Sequence, residues 1–166
     1  MNNVKKIALL GIGIALYFVL GMAVKIPLIS HIQTDLGYIT FGVFLYLLGP
    51  VACVVGVVGC LFESLLVSGW IPVGWMIGQL VIGIICGISY KKIKSLSINI
   101  IITVVAVFLG VGIIKTGIEC VLYTIPLLVK FPKNAIAFIA DTIPMIIGLL
   151  IAWKYGNKII VKEKNE

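Results

Sequence analysis

Nearly the whole chain consists of apolar stretches long enough to enter a bilayer, yet Glu63, Lys115, Glu119 and Asp141 lie inside those stretches. In hydrocarbon every backbone N–H and C=O must be bonded within the protein, so spanning segments are restricted to helices or closed barrels. Runs approaching 20 apolar residues match the helical solution. Hydrophobic residues make up 61% of the 166 and charged ones only 11%, and the longest polar stretch is the tail from Lys158 to Glu166, so no soluble domain is expected. An ionisable group at mid-bilayer costs about 2.5–3.5 kcal/mol on insertion scales, and such groups face a protein interior or a watery cavity. An all-α integral membrane protein with an internal polar pocket is therefore predicted.

The apolar runs predict spans over about 7–27, 38–48, 51–67, 75–90, 98–125 and 135–155, all in a single transmembrane domain covering 1–166. The second and third are short and are separated only by Leu48, Gly49 and Pro50. Joined from Leu36 to Val67 they would make about 48 Å of helix, too long for one crossing of a core of about 30 Å. Glycine followed by proline can turn a chain as well as kink it. Charge settles the choice. Lys5, Lys6, Lys91, Lys92, Lys94, Lys154, Lys158, Lys162 and Lys164 fall on one side, and only Lys25, Lys130 and Lys133 on the other. Under the positive-inside rule both termini are cytoplasmic, which requires an even number of spans. Six helices in one compact bundle follow, with Gly49-Pro50 as a tight cytoplasmic turn. The net charge of +7 thus reads as topology rather than as a nucleic-acid signal. The first run is too long for the core of a signal peptide, and its removal would break the charge asymmetry.

Cys53, Cys60, Cys86 and Cys120 lie within spans without a CxxC pair and read as small buried hydrophobes. His31, the single histidine, sits in the first external loop, and no metal site is expected. Ala52, Gly56, Cys60 and Ser64 form a small-residue row along the third span; Gly83 and Gly87 lie in the fourth, and Gly148, Ala152 and Gly156 in the sixth. Such rows let helices approach closely, and contact inside the bundle accounts for them. Gly11 and Ala15, near the cytoplasmic end of the first span, form a flat patch that could instead dock a partner helix.

With this topology the polar residues sort by depth. Glu63 ends the third span, Gln79 lies one turn below Trp75 in the fourth, and Lys115 and Glu119 share a face that continues to Tyr123 in the fifth. Asp141 lies about 9 Å below the expected start of the sixth span, and Pro144 frees the carbonyl of Ala140. All fall in the outer half, while the inner half reads as apolar. A pocket open to the outside and closed at the bottom is expected, with Lys115 and Glu119 either neutralising each other or contacting ligand. Its excess of acids favours a cationic or amine-bearing ligand, or donors on a heterocycle. Trp70, Trp75 and Tyr123 are either interfacial anchors or stacking surfaces. The stretch Gly110-Val111-Gly112-Ile113-Ile114-Lys115-Thr116 only echoes a phosphate loop, because Ile114 stands where the glycine before the lysine is required.

A lysine-flanked first span with small residues, a polar loop, Gly49-Pro50 followed by Gly56 and Gly59, an acid ending the third span, and the loop from Gly69-Trp70 to Gly74-Trp75 together resemble the substrate-binding S components of energy-coupling factor (ECF) transporters. The resemblance covers nearly the whole chain. It implies a six-helix, multi-pass subunit of a bacterial cell membrane that captures a vitamin or nucleobase-like micronutrient from outside. The first external loop, with Gln33 and Asp35, and the outer halves of the later spans would hold the substrate, with the loop as a lid. Delivery would depend on separate chains, a transmembrane coupling subunit and two ATPases; ATP is used by these partners and this chain needs no cofactor. The family's docking motif is a pair of alanines four apart, matched here by Gly11 and Ala15. The alternative is a stand-alone proton-coupled carrier, against which stands the lack of repeat halves. An intramembrane enzyme would need a nucleophile with a base or a metal set, which scattered carboxylates and one loop histidine do not supply.

Overall fold

The computed structural model describes residues 3–23, 25–29 and 32–164, with side chains placed for 3–23 and 34–156. Among the described residues the chain is helical apart from one hairpin and the connecting turns. Helix α1 (Asn3–Ala23) leads into β1 (Lys25–Ile29) and β2 (Ile32–Asp35), and then come α2 (Gly37–Leu48), a tight 3-10 turn (Gly49–Ala52) and α3 (Cys53–Ser68). Next follow α4 (Val73–Lys92), α5 (Leu96–Val107), a π-helical stretch (Phe108–Lys115), α6 (Thr116–Tyr123) and α7 (Leu127–Lys164). Among the described residues five helical stretches are long and apolar enough to cross a membrane: Asn3–Ala23, Gly37–Ser68, Val73–Lys92, Leu96–Tyr123 and Leu127–Gly156.

The second of these stretches is not straight. Tyr17 of α1 lies against both Gly37, at the start of α2, and Gly59, within α3. A continuous helix would hold those two glycines about 33 Å apart, so the chain reverses between them. The reversal sits at Gly49, whose φ of 74° places it in the left-handed region that glycine adopts without a Cβ clash. Pro50 follows at a position where the missing N–H costs nothing. Lys91 of α4 donates to the Leu47 carbonyl at 2.8 Å, satisfying one of the acceptors that end α2.

Other boundaries depart from the expected spans. The first helix stops at Ala23 instead of reaching residue 27, and the polar loop becomes an antiparallel hairpin pairing Lys25 with Asp35 and Pro27 with Gln33. Pro27 fixes φ and cannot donate within a helix, whereas the edge of a two-stranded ribbon tolerates it. The last helix begins at Leu127, eight residues before the expected start at 135, with Pro132 inside it. Asp141 therefore lies about 21 Å along α7 rather than 9 Å from its start.

The core forms where α1, α2, α3, α4 and α7 meet, around Tyr17, Tyr38, Phe41, Leu45, Val55, Ile82, Met145 and Leu149. Helices α2 and α7 touch at backbone level, since a Cβ on Gly42 would lie 2.6 Å from the Met145 carbonyl oxygen and one on Gly148 would overlap that of Ile39. The half expected to be inner and apolar is not purely apolar. Ser89 donates to Asn99 at 2.7 Å, Asn99 to the Ile93 carbonyl at 2.8 Å, and the Tyr90 and Thr103 hydroxyls are 2.6 Å apart. These bonds close on one another, so the cluster ties α4 to α5 and leaves no site.

Gly148→Leu is expected to destabilise the bundle by at least about 1–3 kcal/mol, because the α2 backbone cannot yield as a flexible side chain would. Gly11→Leu, where no atom lies within 4 Å of an added Cβ, should change stability by less than about 0.5 kcal/mol. Thermal melting of the detergent-purified variants checks both; an unchanged Gly148→Leu protein would mean that α2 and α7 do not pack this closely.

Candidate functional site

A cavity of about 330 Å³ lies at the hairpin end of the bundle, between the last turns of α1 and α3, the strand β2, the start of α4, the π stretch with α6, and the first half of α7. The chain builds it from short local devices. Gly69, in the left-handed conformation with φ 72°, ends α3, and Trp70 and Pro72 then cross the rim before α4 begins at Val73. Wider π-helical turns in the fifth segment carry Lys115 to their end, and the α-helix resumes at Thr116. π-Helical turns of this kind are uncommon and concentrate at functional sites.

Eight residues singled out in the sequence line this one cavity: Asp35, Glu63, Trp70, Trp75, Lys115, Glu119, Tyr123 and Asp141. Gln79 does not line it. It is fully buried behind the wall, where its Nε2 donates to the Tyr17 hydroxyl at 3.1 Å. The strand β2 carries Gln33 by its backbone, and its side chain, like His31 as a whole, lies outside the described residues. Gly11 and Ala15 are exposed on α1, away from the cavity residues Tyr17 and Gly21.

Lys115 and Glu119 share a helical face, but no direct ion pair joins them. Asn134 of α7 stands between: Lys115 Nζ donates to its Oδ1 at 3.0 Å, and its Nδ2 reaches Glu119 Oε2 at 3.1 Å and Thr116 Oγ1 at 2.9 Å. Glu119 Oε2 also pairs with Lys130 Nζ at 3.2 Å. The Lys115 ammonium sits 3.5 Å from the centre of the Trp75 ring, a cation–π contact in a dry setting. At the rim, Trp70 and Tyr123 meet edge to face with centroids 5.3 Å apart, both partly exposed.

The opposite wall is acidic. Asp35 Oδ2 accepts the Tyr17 hydroxyl at 2.7 Å, and Oδ1 accepts the Gly37 N–H at 2.7 Å. Among the described residues three buried atoms at this end have no hydrogen-bond partner: Tyr38 Oη, Gln79 Oε1 and Asp141 Oδ2. Of the three residues only Asp141 lines the cavity; Tyr38 and Gln79 are fully buried and do not. Sequence reading missed Asn134, Tyr17, Lys130 and Lys133. Asn134 fell just outside the expected sixth span and Tyr17 read as one more aromatic of the first; the early start of α7 is what brings Asn134 into the protein. Taken together, the cavity offers flat aromatic surface at its rim, a basic wall and an acidic wall, which is the chemistry for holding a small polar ring compound.

A family model described as ECF-type riboflavin transporter, S component, matches residues 1–158. A UPF0397 protein of Streptococcus agalactiae is 25% identical over 166 aligned positions, covering 92% of this chain and 91% of that protein. A UPF0397 protein of Streptococcus thermophilus is 27% identical over 92 residues, 55% of this chain, and the match spans about half of its length, 51%. Among solved structures, the S-component for biotin from an ECF-type ABC transporter matches with a TM-score of 0.66 at 19% identity, covering 95% of each chain, a likeness of fold.

Asn134 supplies the bonds that keep Lys115 and Glu119 compatible with burial. Asn134→Ala should therefore lower stability by about 1–3 kcal/mol, since it strips partners from two buried charges. Lys130→Ala, at the partly exposed end of the network, should cost less than about 1 kcal/mol. Melting temperatures of the two variants in one detergent test the order; equal losses would remove Asn134 as the hub.

Proposed function

Because the chain belongs to the ECF-type riboflavin transporter S component family, we propose that it is the substrate-specific binding subunit of an ECF-type importer, taking up a vitamin or nucleobase-like micronutrient. As a member of that family the protein is a multi-pass membrane transport component and not an enzyme. The observation that carries the reading is the cavity: about 330 Å³, within the range of about 300–1,000 Å³ typical of small-molecule sites, aromatic at its rim and lined by charges from both walls. In this reading the chain makes six crossings with both termini cytoplasmic and its cavity opens to the outside of a bacterial cell membrane, which the reversal at Gly49 and the distribution of lysines support. The substrate enters past Trp70 and Tyr123 under the hairpin and is held by Asp35, Glu63, Trp75, Lys115, Glu119 and Asp141, with Gln79 bracing Tyr17 behind them. Riboflavin, named by the family description, and biotin, named for the solved relative, set the size of compound expected.

Import needs energy that this subunit does not supply; a separate transmembrane coupling subunit and two ATPases, which use ATP, provide it. Helix α1 is the surface offered to them. Its outward face, with Val4, Ile7, Ile12, Leu16 and Val19, is exposed, and Gly11 and Ala15 form a flat strip within it.

Denaturing the detergent-purified chain from cells grown on rich medium should release a stoichiometric heterocyclic compound, identified by mass spectrometry. A protein that comes out empty and binds nothing from a panel of vitamins and nucleobases would overturn the assignment. Gly11→Leu and Ala15→Leu should leave binding within about twofold while abolishing ATP-dependent uptake, because only the helix-docking strip is filled. Uptake at the unmodified rate would move the docking face elsewhere.

A further inference from the structure

A second hollow, a groove of about 470 Å³, runs between α4 and α5 at the end away from the hairpin. Its walls follow from the way α4 divides its faces. Gly83 and Gly87 turn inward, where an added Cβ would lie 2.5 Å from Cys53 Cβ and from Pro50 Cα respectively. Ile85, Ile88 and Lys92 lie on the opposite side of that helix and line the groove together with Ile101, Ile102 and Val105 of α5. Ile88, Ile101 and Val105 are exposed. Ser89 reaches the groove too, but its hydroxyl donates to Asn99 at 2.7 Å, so the floor is satisfied and hydrocarbon can cover it.

Charge marks one end of this groove. Lys91 is tied to the Leu47 carbonyl, whereas Lys92 lines the groove and Lys94 is exposed just beyond it. A lysine lays its apolar stem along such a surface and keeps its ammonium at the polar edge. Every carboxylate among the described side chains, Asp35, Glu63, Glu119 and Asp141, lines the cavity at the hairpin end, so none of them neutralises Lys92 or Lys94. The complement is an anion with a hydrocarbon tail. A protein helix fits less well, because helices associate in lipid through small residues, and the outward positions here carry branched isoleucine and valine. A flexible chain can thread between branched side chains where a helix backbone cannot approach. Basic pockets between transmembrane helices are the places where anionic headgroups are held.

We propose that the α4–α5 groove binds an anionic phospholipid, with one acyl chain lying along Ile88 and Ile101 and the phosphate held by Lys92 and Lys94. The inference goes beyond the binding-subunit reading and does not depend on it. The lipid is then a fixed part of the α4–α5 pair, distinct from the lipid that merely surrounds the bundle.

The test uses the unmodified full chain in phosphatidylcholine nanodiscs that contain a small fraction of phosphatidylglycerol with a diazirine on its acyl chain. Irradiation and peptide mapping should label 85–93 and 101–105 at least about threefold more than α1, whose Val4, Ile7, Ile12, Leu16 and Val19 are also exposed and whose end carries Lys5 and Lys6. Native mass spectrometry then compares the two lipids at equal chain length. Phosphatidylglycerol should be retained at least about fivefold better than phosphatidylcholine. The double change Lys92→Gln and Lys94→Gln should remove that preference, and Lys5→Gln with Lys6→Gln should preserve it. Labelling spread evenly over α1 and the groove overturns the site, and so does an absent preference or one that survives the loss of Lys92 and Lys94. A dimer or a copurifying protein in the same spectra, with the groove unlabelled, overturns it in favour of a protein interface. The labelling needs no variant, so it decides the matter even if the Lys92 and Lys94 double variant fails to fold.

Discussion

A hydroxyl in the middle of an apolar bundle must find partners, and that of Tyr17 finds two, donating to Asp35 at 2.7 Å and accepting from Gln79 at 3.1 Å. Its ring, fully buried, packs against Tyr38 and Phe41 and leaves room only for glycines at positions 37 and 59. One side chain thus joins α1 to α2, α3, α4 and the hairpin. The acidic wall of the cavity hangs from it, because Asp35 is held in place by this bond and by the N–H of Gly37. With lipid rather than water around the helices, association depends on close packing and internal hydrogen bonds more than on hydrophobic burial. Tyr17 supplies both at one point.

The two ends of the bundle treat polar groups in opposite ways. At the end away from the hairpin Ser89, Tyr90, Asn99 and Thr103 bond among themselves, which tightens α4 against α5. At the hairpin end Asn134 bridges Lys115, Glu119 and Thr116, while Tyr38, Gln79 and Asp141 keep unpartnered atoms. Buried polar groups are a structural asset when satisfied and a liability when they are not. Of these only the Asp141 oxygen faces the cavity, where a ligand could bring the missing bond. The asymmetry between the ends separates a site from a scaffold more sharply than the presence of charge does.

Much of the architecture was legible because membranes impose coarse rules. Apolar run lengths, the lysine bias and the glycine at position 49 each follow from bilayer thickness, surface charge and backbone sterics. What escaped were features without a local signature. Pro27 ends the expected first span in a hairpin, but proline alone does not distinguish a kink from a strand edge. The start of α7 at Leu127 runs through Lys130, Pro132 and Lys133, residues that argue for a loop when read one at a time. Polar bonds from Lys130 and Asn134 to Glu119 and Thr116 of α6 tie that turn to the bundle, and the early start changes the depth assigned to Asp141.

The sequence by itself determined that the chain lies in a membrane, which residues carry charge into it, and that these gather toward one end. Composition and spacing suffice for this, since an ionisable group in hydrocarbon has few permitted places. Only the tertiary structure decided how those charges are matched. The Lys115 and Glu119 face, four residues apart, offered a direct pair, yet Asn134 from a distant helix stands between them and Lys130 takes the carboxylate. Which buried group is left without a partner depends on distances of an ångström or so between helices far apart in the chain. No one-dimensional pattern carries that information, and it is what leaves Asp141 Oδ2 rather than a Glu119 oxygen unpaired.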